Sequence, residues 1–145
     1  MKSITLILAL VSLLLVTGCN RGPSPNAIGS KLTLAMHPNC SHGNGPTGIG
    51  RVTYAPVPQS GHTECRTAGD KSITCNEAFN PDTTVTLMAI PDPVLGPDGK
   101  PLTLIEKIDG CNATACQGCP PGAWTCQVKM DGDKLVEAYF CGRVH

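Results

Sequence analysis

Trp124-Thr125-Cys126-Gln127-Val128-Lys129-Met130-Asp131-Gly132-Asp133-Lys134-Leu135-Val136-Glu137-Ala138-Tyr139-Phe140 alternates on both sides of Asp131-Gly132-Asp133. A period of two sends successive side chains to opposite faces of a strand. Residues 124–130 and 134–140 therefore read as strands, and the turn residues between them predict an antiparallel hairpin. On that reading Cys126, Val128 and Met130 share one face. Val136, Ala138 and Phe140 form the buried face of the partner strand.

Working back toward the N-terminus, residues 83–90 alternate most cleanly. Val85, Leu87 and Ala89 lie on one side, with Thr84, Thr86 and Met88 on the other. Residues 31–36, with Leu32 and Leu34 on one face, residues 50–54 around Val52, and residues 102–108 are further strand candidates. Residues 37–50 are rich in Gly, Pro, Asn and Ser and predict an irregular loop, and residues 56–61 a turn. Cys65 and Cys75 bracket a polar stretch containing Ala68-Gly69-Asp70. Residues 91–101 carry four prolines and a Pro97-Asp98-Gly99 turn, which marks an excursion from the strands. Helical apolar spacing with a cap is missing from every stretch longer than ten residues. The expectation is a small, mostly β domain with little helix.

The N-terminus has a different chemistry. After Met1-Lys2-Ser3, the run from Ile4 to Val16 is polar only at Thr5 and Ser12, and Val16-Thr17-Gly18-Cys19 follows. A positive start, a short apolar run and small residues before a cut site make a secretory signal. The run of about 13 residues falls short of the roughly 20 that a spanning helix needs. Val16-Thr17-Gly18-Cys19 resembles the lipobox of bacterial lipoproteins. That resemblance implies a diacylglyceryl group on the Cys19 sulfur, cleavage before Cys19 and acylation of the new amine. Two or more acyl chains anchor a protein stably where one does not. The expected organisation is a signal peptide over 1–18, a lipidated tether over 19–30 and a disulfide-rich β domain over 31–145. Residue 20 is Asn and not Asp, which by resemblance to enterobacterial lipoprotein sorting implies the outer membrane if the cell is Gram-negative, facing the periplasm or the surface.

Cleavage leaves 127 residues with 10 basic and 11 acidic side chains, a net charge near −1. Nucleic-acid partners need a basic field, and no basic cluster occurs, so none is expected. One Trp, two Tyr and two Phe leave few stacking platforms and a thin core. With Cys19 set aside, eight of the nine cysteines remain: Cys40, Cys65, Cys75, Cys111, Cys116, Cys119, Cys126 and Cys141. An even number in an exported chain reads as a disulfide framework. Crosslinks worth about 2–4 kcal/mol each would supply what the core lacks.

The order of segments resembles the divergent InlB B-repeat, or bacterial repeat domain, across residues 31–140. The matching residues are Gly50-Arg51-Val52, Cys65, Cys75, Phe79, Thr84-Val85-Thr86-Leu87-Met88-Ala89-Ile90-Pro91 and Ile108-Asp109-Gly110-Cys111. Cys126-Gln127-Val128-Lys129-Met130 and Lys134-Leu135-Val136-Glu137-Ala138-Tyr139-Phe140 complete the pattern. The resemblance implies a compact ubiquitin-like or related fold, here a single β-grasp-like sheet, and no catalytic residues. It suggests the disulfides Cys65–Cys75 and Cys111–Cys126. Cys116 and Cys119 are then the simplest pair, close in sequence, and Cys40 is left with Cys141.

Several groups invite a chemical reading. Cys116-Gln117-Gly118-Cys119 is a CxxC, but Pro120-Pro121-Gly122 follows where a redox enzyme would start a helix. Cys111, Cys116, Cys119 and Cys126 have zinc-compatible spacing, against which an oxidising compartment favours disulfides. His37, Cys40 and His42, completed by His62 or His145, could form a copper or zinc site. The competing expectation, loop residues with Cys40 already crosslinked, is the one adopted, so no metal or other cofactor is expected beyond the covalent lipid. No nucleophile elbow or phosphate loop occurs. The function classes left are a non-enzymatic structural or adhesive module and, as the alternative, a small-ligand or metal-binding lipoprotein. A protease inhibitor presenting Pro120-Pro121-Gly122 is a third. Beyond the membrane, a protein partner stays open.

Overall fold

The computed structural model describes residues 29–40, 47–100 and 102–142. Nine strands follow one another: β1 (Ser30–His37), β2 (Gly50–Ala55), β3 (Glu64–Arg66), β4 (Ile73–Phe79), β5 (Thr84–Pro91), β6 (Thr103–Asp109), β7 (Thr114–Ala115), β8 (Trp124–Lys129) and β9 (Lys134–Gly142). No helix forms among the described residues. The domain is mostly β and disulfide-braced, as expected.

The strands divide into two sheets and do not form the single β-grasp-like sheet that was expected. One sheet has the order β4-β1-β9-β6 and the other β3-β2-β5-β8-β7. β1 and β9 run parallel, and the remaining pairs are antiparallel. Almost every strand is apolar on one side only, and two such layers bury those sides against each other. Leu32, Leu34, Met36, Val136, Ala138 and Phe140 come from the first sheet. Val52, Val85, Leu87, Ala89, Cys126 and Val128 come from the second, and all join one core.

The hairpin expected over 124–140 is also corrected. β8 pairs with β5 and β7, and β9 pairs with β1 and β6, so the chain crosses between sheets at 130–133. The faces are as predicted: Cys126, Val128, Met130, Val136, Ala138 and Phe140 are all buried. They meet across the core and not side by side. Alternation has the same period in both arrangements, so it cannot tell them apart. Four residues extend to about 13 Å, enough to cross the roughly 10 Å between packed sheets. Met130 fixes the crossing. Its N–H donates to Thr83 O at 2.8 Å, and its carbonyl accepts from Asp82 N at 2.8 Å and from Ser30 Oγ at 3.1 Å.

β3 and β4 were not expected as strands. Glu77 of β4 occupies an inward, buried position, which breaks the apolar alternation. Its carboxylate accepts from Ser60 Oγ and pairs with His62 Nδ1 at 2.9 Å, so the buried oxygens are satisfied.

These connections give the domain two ends. Ser30, residues 80–83 and residues 130–133 gather at one, where Lys31 N also donates to Asp133 Oδ1 at 2.8 Å. At the other end Gly50 lies opposite Pro91, Thr103 opposite Gly142 and Thr47 opposite Cys141.

Candidate functional site

The end away from Ser30 holds four of the eight disulfide cysteines and the long excursions. Cys40 is bonded to Cys141 there, with Cα atoms 4.9 Å apart across 101 residues of sequence. Cys116 is bonded to Cys119 in the loop that follows β7. Cys65–Cys75 links β3 to β4, the edge strands of the two sheets. Cys111–Cys126 ties the segment after β6 to β8, again joining the sheets. Three of the four bonds thus staple distant segments, and the CxxC bond closes only its own turn.

This pairing separates the groups that might have formed a four-cysteine zinc set. Cys111 and Cys126 form one bond, Cys116 and Cys119 the other. After Cys119 the chain makes a turn in which Ala123 N donates to Pro120 O at 3.0 Å, and β8 follows directly. The helix that would lower a catalytic thiol pKa is not there.

The histidines do not converge either. His37, at the end of β1, sets Nδ1 3.2 Å from Ser72 Oγ and Nε2 3.2 Å from Glu137 Oε1, and stacks on Tyr139 at 4.5 Å. Lys107 covers Tyr139 at 4.6 Å, and the hydrogen bond it gives Asp109 at 2.6 Å holds its ammonium above the ordinary lysine range. His62 engages Glu77 instead. Neither histidine joins Cys40, and Cys19, His42 and His145 lie outside the described residues.

One metal-ligating group does assemble among the described residues. Cys40, Glu106 and Cys141 bring a ligand atom each to within 4.8 Å of one another. Glu106 Oε2 stands 3.5 Å from Cys141 Sγ. A β-bulge puts it there. In β6, Ile105 pairs with Phe140 and Lys107 with Tyr139, so Glu106 is the extra residue. Sequence reasoning missed Glu106 by taking 102–108 as a regular strand. The signal was present: Ile105 and Ile108 are three apart, yet both are buried. A regular strand cannot put residues three apart on one face.

A cleft of about 350 Å³ lies beside this end, between residues 91–99 and the Pro120-Pro121-Gly122 loop. Ile90, Pro91, Pro93, Leu95, Pro120 and Pro121 make it largely apolar. Its charged wall is self-neutralised. Arg66 Nη1 donates to Asp92 at 2.9 and 3.1 Å, and Arg51 lies 3.6 Å from Asp92 and 3.5 Å from Glu64.

Comparison with protein-family models, with curated proteins and with solved structures returns no match. The class is therefore defined by its own geometry: a two-sheet β domain stapled by four disulfides.

Proposed function

We propose that this chain is a lipid-anchored protein of the bacterial cell envelope, attached through Cys19, whose β body serves as a non-enzymatic structural or adhesive module. The observation that carries the reading is Val16-Thr17-Gly18-Cys19 at the end of a short apolar run. The exported, oxidising compartment it implies agrees with four cysteine pairs at bonding distance. Geometry adds support. The tether would join the domain at Ser30, and residues 91–100 and 116–122 are at the far end. Eleven residues, 19–29, reach at most about 40 Å at full extension, and attachment at Ser30 puts those loops at the end of the domain farthest from the tether. In this reading the domain is a single bacterial-repeat-like copy, in the outer membrane of a Gram-negative cell, with no nucleic-acid partner.

Cys19→Ala tests the anchor. The variant should leave the detergent phase in phase partitioning, whereas the parent stays in it. Equal partitioning of the two proteins contradicts lipidation. A second reading, a metal-binding lipoprotein, is favoured by the Cys40, Glu106 and Cys141 cluster.

A further inference from the structure

We propose that the cleft between residues 91–99 and the Pro120-Pro121-Gly122 loop binds a small uncharged molecule with an apolar body and a carbonyl acceptor, the acceptor taken by Arg51 and Thr103. The proposal goes beyond the envelope-module reading and does not depend on lipidation at Cys19.

The walls are built before a ligand arrives. Pro91 and Pro93 on one side, and Pro120 and Pro121 on the other, have fixed φ angles and lose little freedom on binding. Each loop is held by its own hydrogen bonds. Leu102 N donates to Val94 O at 2.7 Å, Gly96 N to Lys100 O at 2.8 Å and Gly99 N to Gly96 O at 2.9 Å. Opposite, Cys116 N donates to Ala123 O at 2.8 Å, and the Cys116–Cys119 bond closes the same turn. The two loops also touch. A Cβ on Gly122 would stand 3.2 Å from Pro91 Cγ.

Exposure points to an apolar body. Four large apolar side chains stand exposed among the described residues, and two of them, Val94 and Leu95, are on this excursion. Leu95, 60% exposed, lines the cleft. A ligand laid on Leu95, Ile90 and the prolines removes that surface from water. A volume of about 350 Å³ is at the small end of ligand pockets, which suits a small molecule.

The polar groups decide the head of the ligand. Arg51 and Arg66 face Asp92 and Glu64, two positive charges against two negative, so the wall has no net charge to offer an ion. A charged head would give up its hydration without a counter-charge. Hydrogen-bonding capacity is not balanced in the same way. Each guanidinium has five N–H donors. Arg66 takes both oxygens of Asp92, at 2.9 and 3.1 Å. Arg51 is left with contacts of 3.5 and 3.6 Å, longer than hydrogen bonds. Thr103 lines the cleft while only 3% exposed. Its Oγ1 already accepts from Ile49 N at 3.3 Å, which leaves the hydroxyl hydrogen to give. Donors without a net charge fit a neutral acceptor, and an amide or ester carbonyl is such a group.

Phenylacetamide is the probe. It is titrated into the mature protein in detergent micelles and read from the protein's own amide and methyl resonances, with the free probe concentration measured by diffusion. Saturable shifts are expected at Arg51, Ile90, Leu95 and Thr103. Leu95→Ala should weaken binding about fourfold or more, the worth of one buried methylene. Arg51→Met should weaken it about tenfold, the worth of a hydrogen bond to a charged group. Neither side chain is in the core, so both variants should keep the parent's spectrum elsewhere. Phenylacetate and phenethylamine carry the same ring on a charged head and should bind more weakly than the amide. The proposal is overturned by the absence of saturable shifts at these residues up to millimolar probe, or by unchanged affinity in Arg51→Met or Leu95→Ala. Tighter binding of either charged probe than of the amide overturns it as well.

Discussion

Gly50 of β2 lies so close to Phe140 of β9 that a Cβ on it would stand 2.6 Å from the ring Cδ1 and 2.7 Å from Ile90 O. The two residues belong to different sheets, so this contact sets how near the layers come. Gly50 is held there by hydrogen bonds in both directions, its N–H to Thr67 Oγ1 at 2.9 Å and its carbonyl from Thr67 N at 2.9 Å. Phe140 is fully buried and cannot yield without displacing the core.

Gly50→Ala should therefore lose about 1–3 kcal/mol, the usual cost of overpacking a filled interior. Urea denaturation of the two proteins measures it. A variant with an unchanged midpoint is incompatible with this inter-sheet contact.

The disulfides should differ widely in their contributions. Cys40–Cys141 spans 101 residues, and the chain-entropy account gives such a closure about 4–5 kcal/mol. Cys116–Cys119 spans three and constrains little. Cys40→Ser or Cys141→Ser should lower the melting temperature by on the order of 15 °C or more, and Cys119→Ser by only a small fraction of that. Calorimetry decides, and equal losses for the two bonds contradict the account.

How much of this was legible in the sequence depends on the kind of information each feature carries. Faces were legible: the alternation in 83–90, 124–130 and 134–140 puts the correct residues inside. Pairing was not, because a crossing between sheets and a hairpin share one alternation pattern, and only long-range partners distinguish them. β4 was hidden by Glu77, whose buried carboxylate is tolerable only because Ser60 and His62, more than a dozen residues away, reach it. Glu106 was hidden by a bulge whose trace, Ile105 and Ile108 three apart, is a single irregularity in one strand.

Tyr54 offers a pH prediction. Its hydroxyl is buried and has no hydrogen-bond partner among the described residues. Burial first, and the Glu77 charge second, push its phenol well above the ordinary tyrosine range. In the unfolded chain the phenol ionises near about 10. Above that pH the unfolded state holds fewer protons than the folded state, so stability falls as pH rises toward the folded pKa. Tyr54→Phe removes both penalties. It should gain about 1 kcal/mol at neutral pH and lose less stability between about pH 9 and 11. Parallel alkaline limbs for variant and parent would falsify this assignment.

The crossing at 130–133 is testable by nuclear Overhauser contacts. Backbone contacts are expected between Val85 and Val128 and between Leu34 and Val136, which are directly opposed partners. None is expected between the backbones of Val128 and Val136. A ladder of contacts joining residues 124–129 to 134–140 would restore the hairpin and remove the second sheet.

The most direct test of the central claim, that Cys19 anchors this protein by covalent lipid, is the mass of its N-terminal tryptic peptide from native membranes. The account predicts a peptide beginning at Cys19 and ending at Arg21, carrying a glyceryl group and its acyl chains on the sulfur and an acyl chain on the amine. An unmodified Cys19, or a peptide that still extends back into residues 1–18, contradicts it.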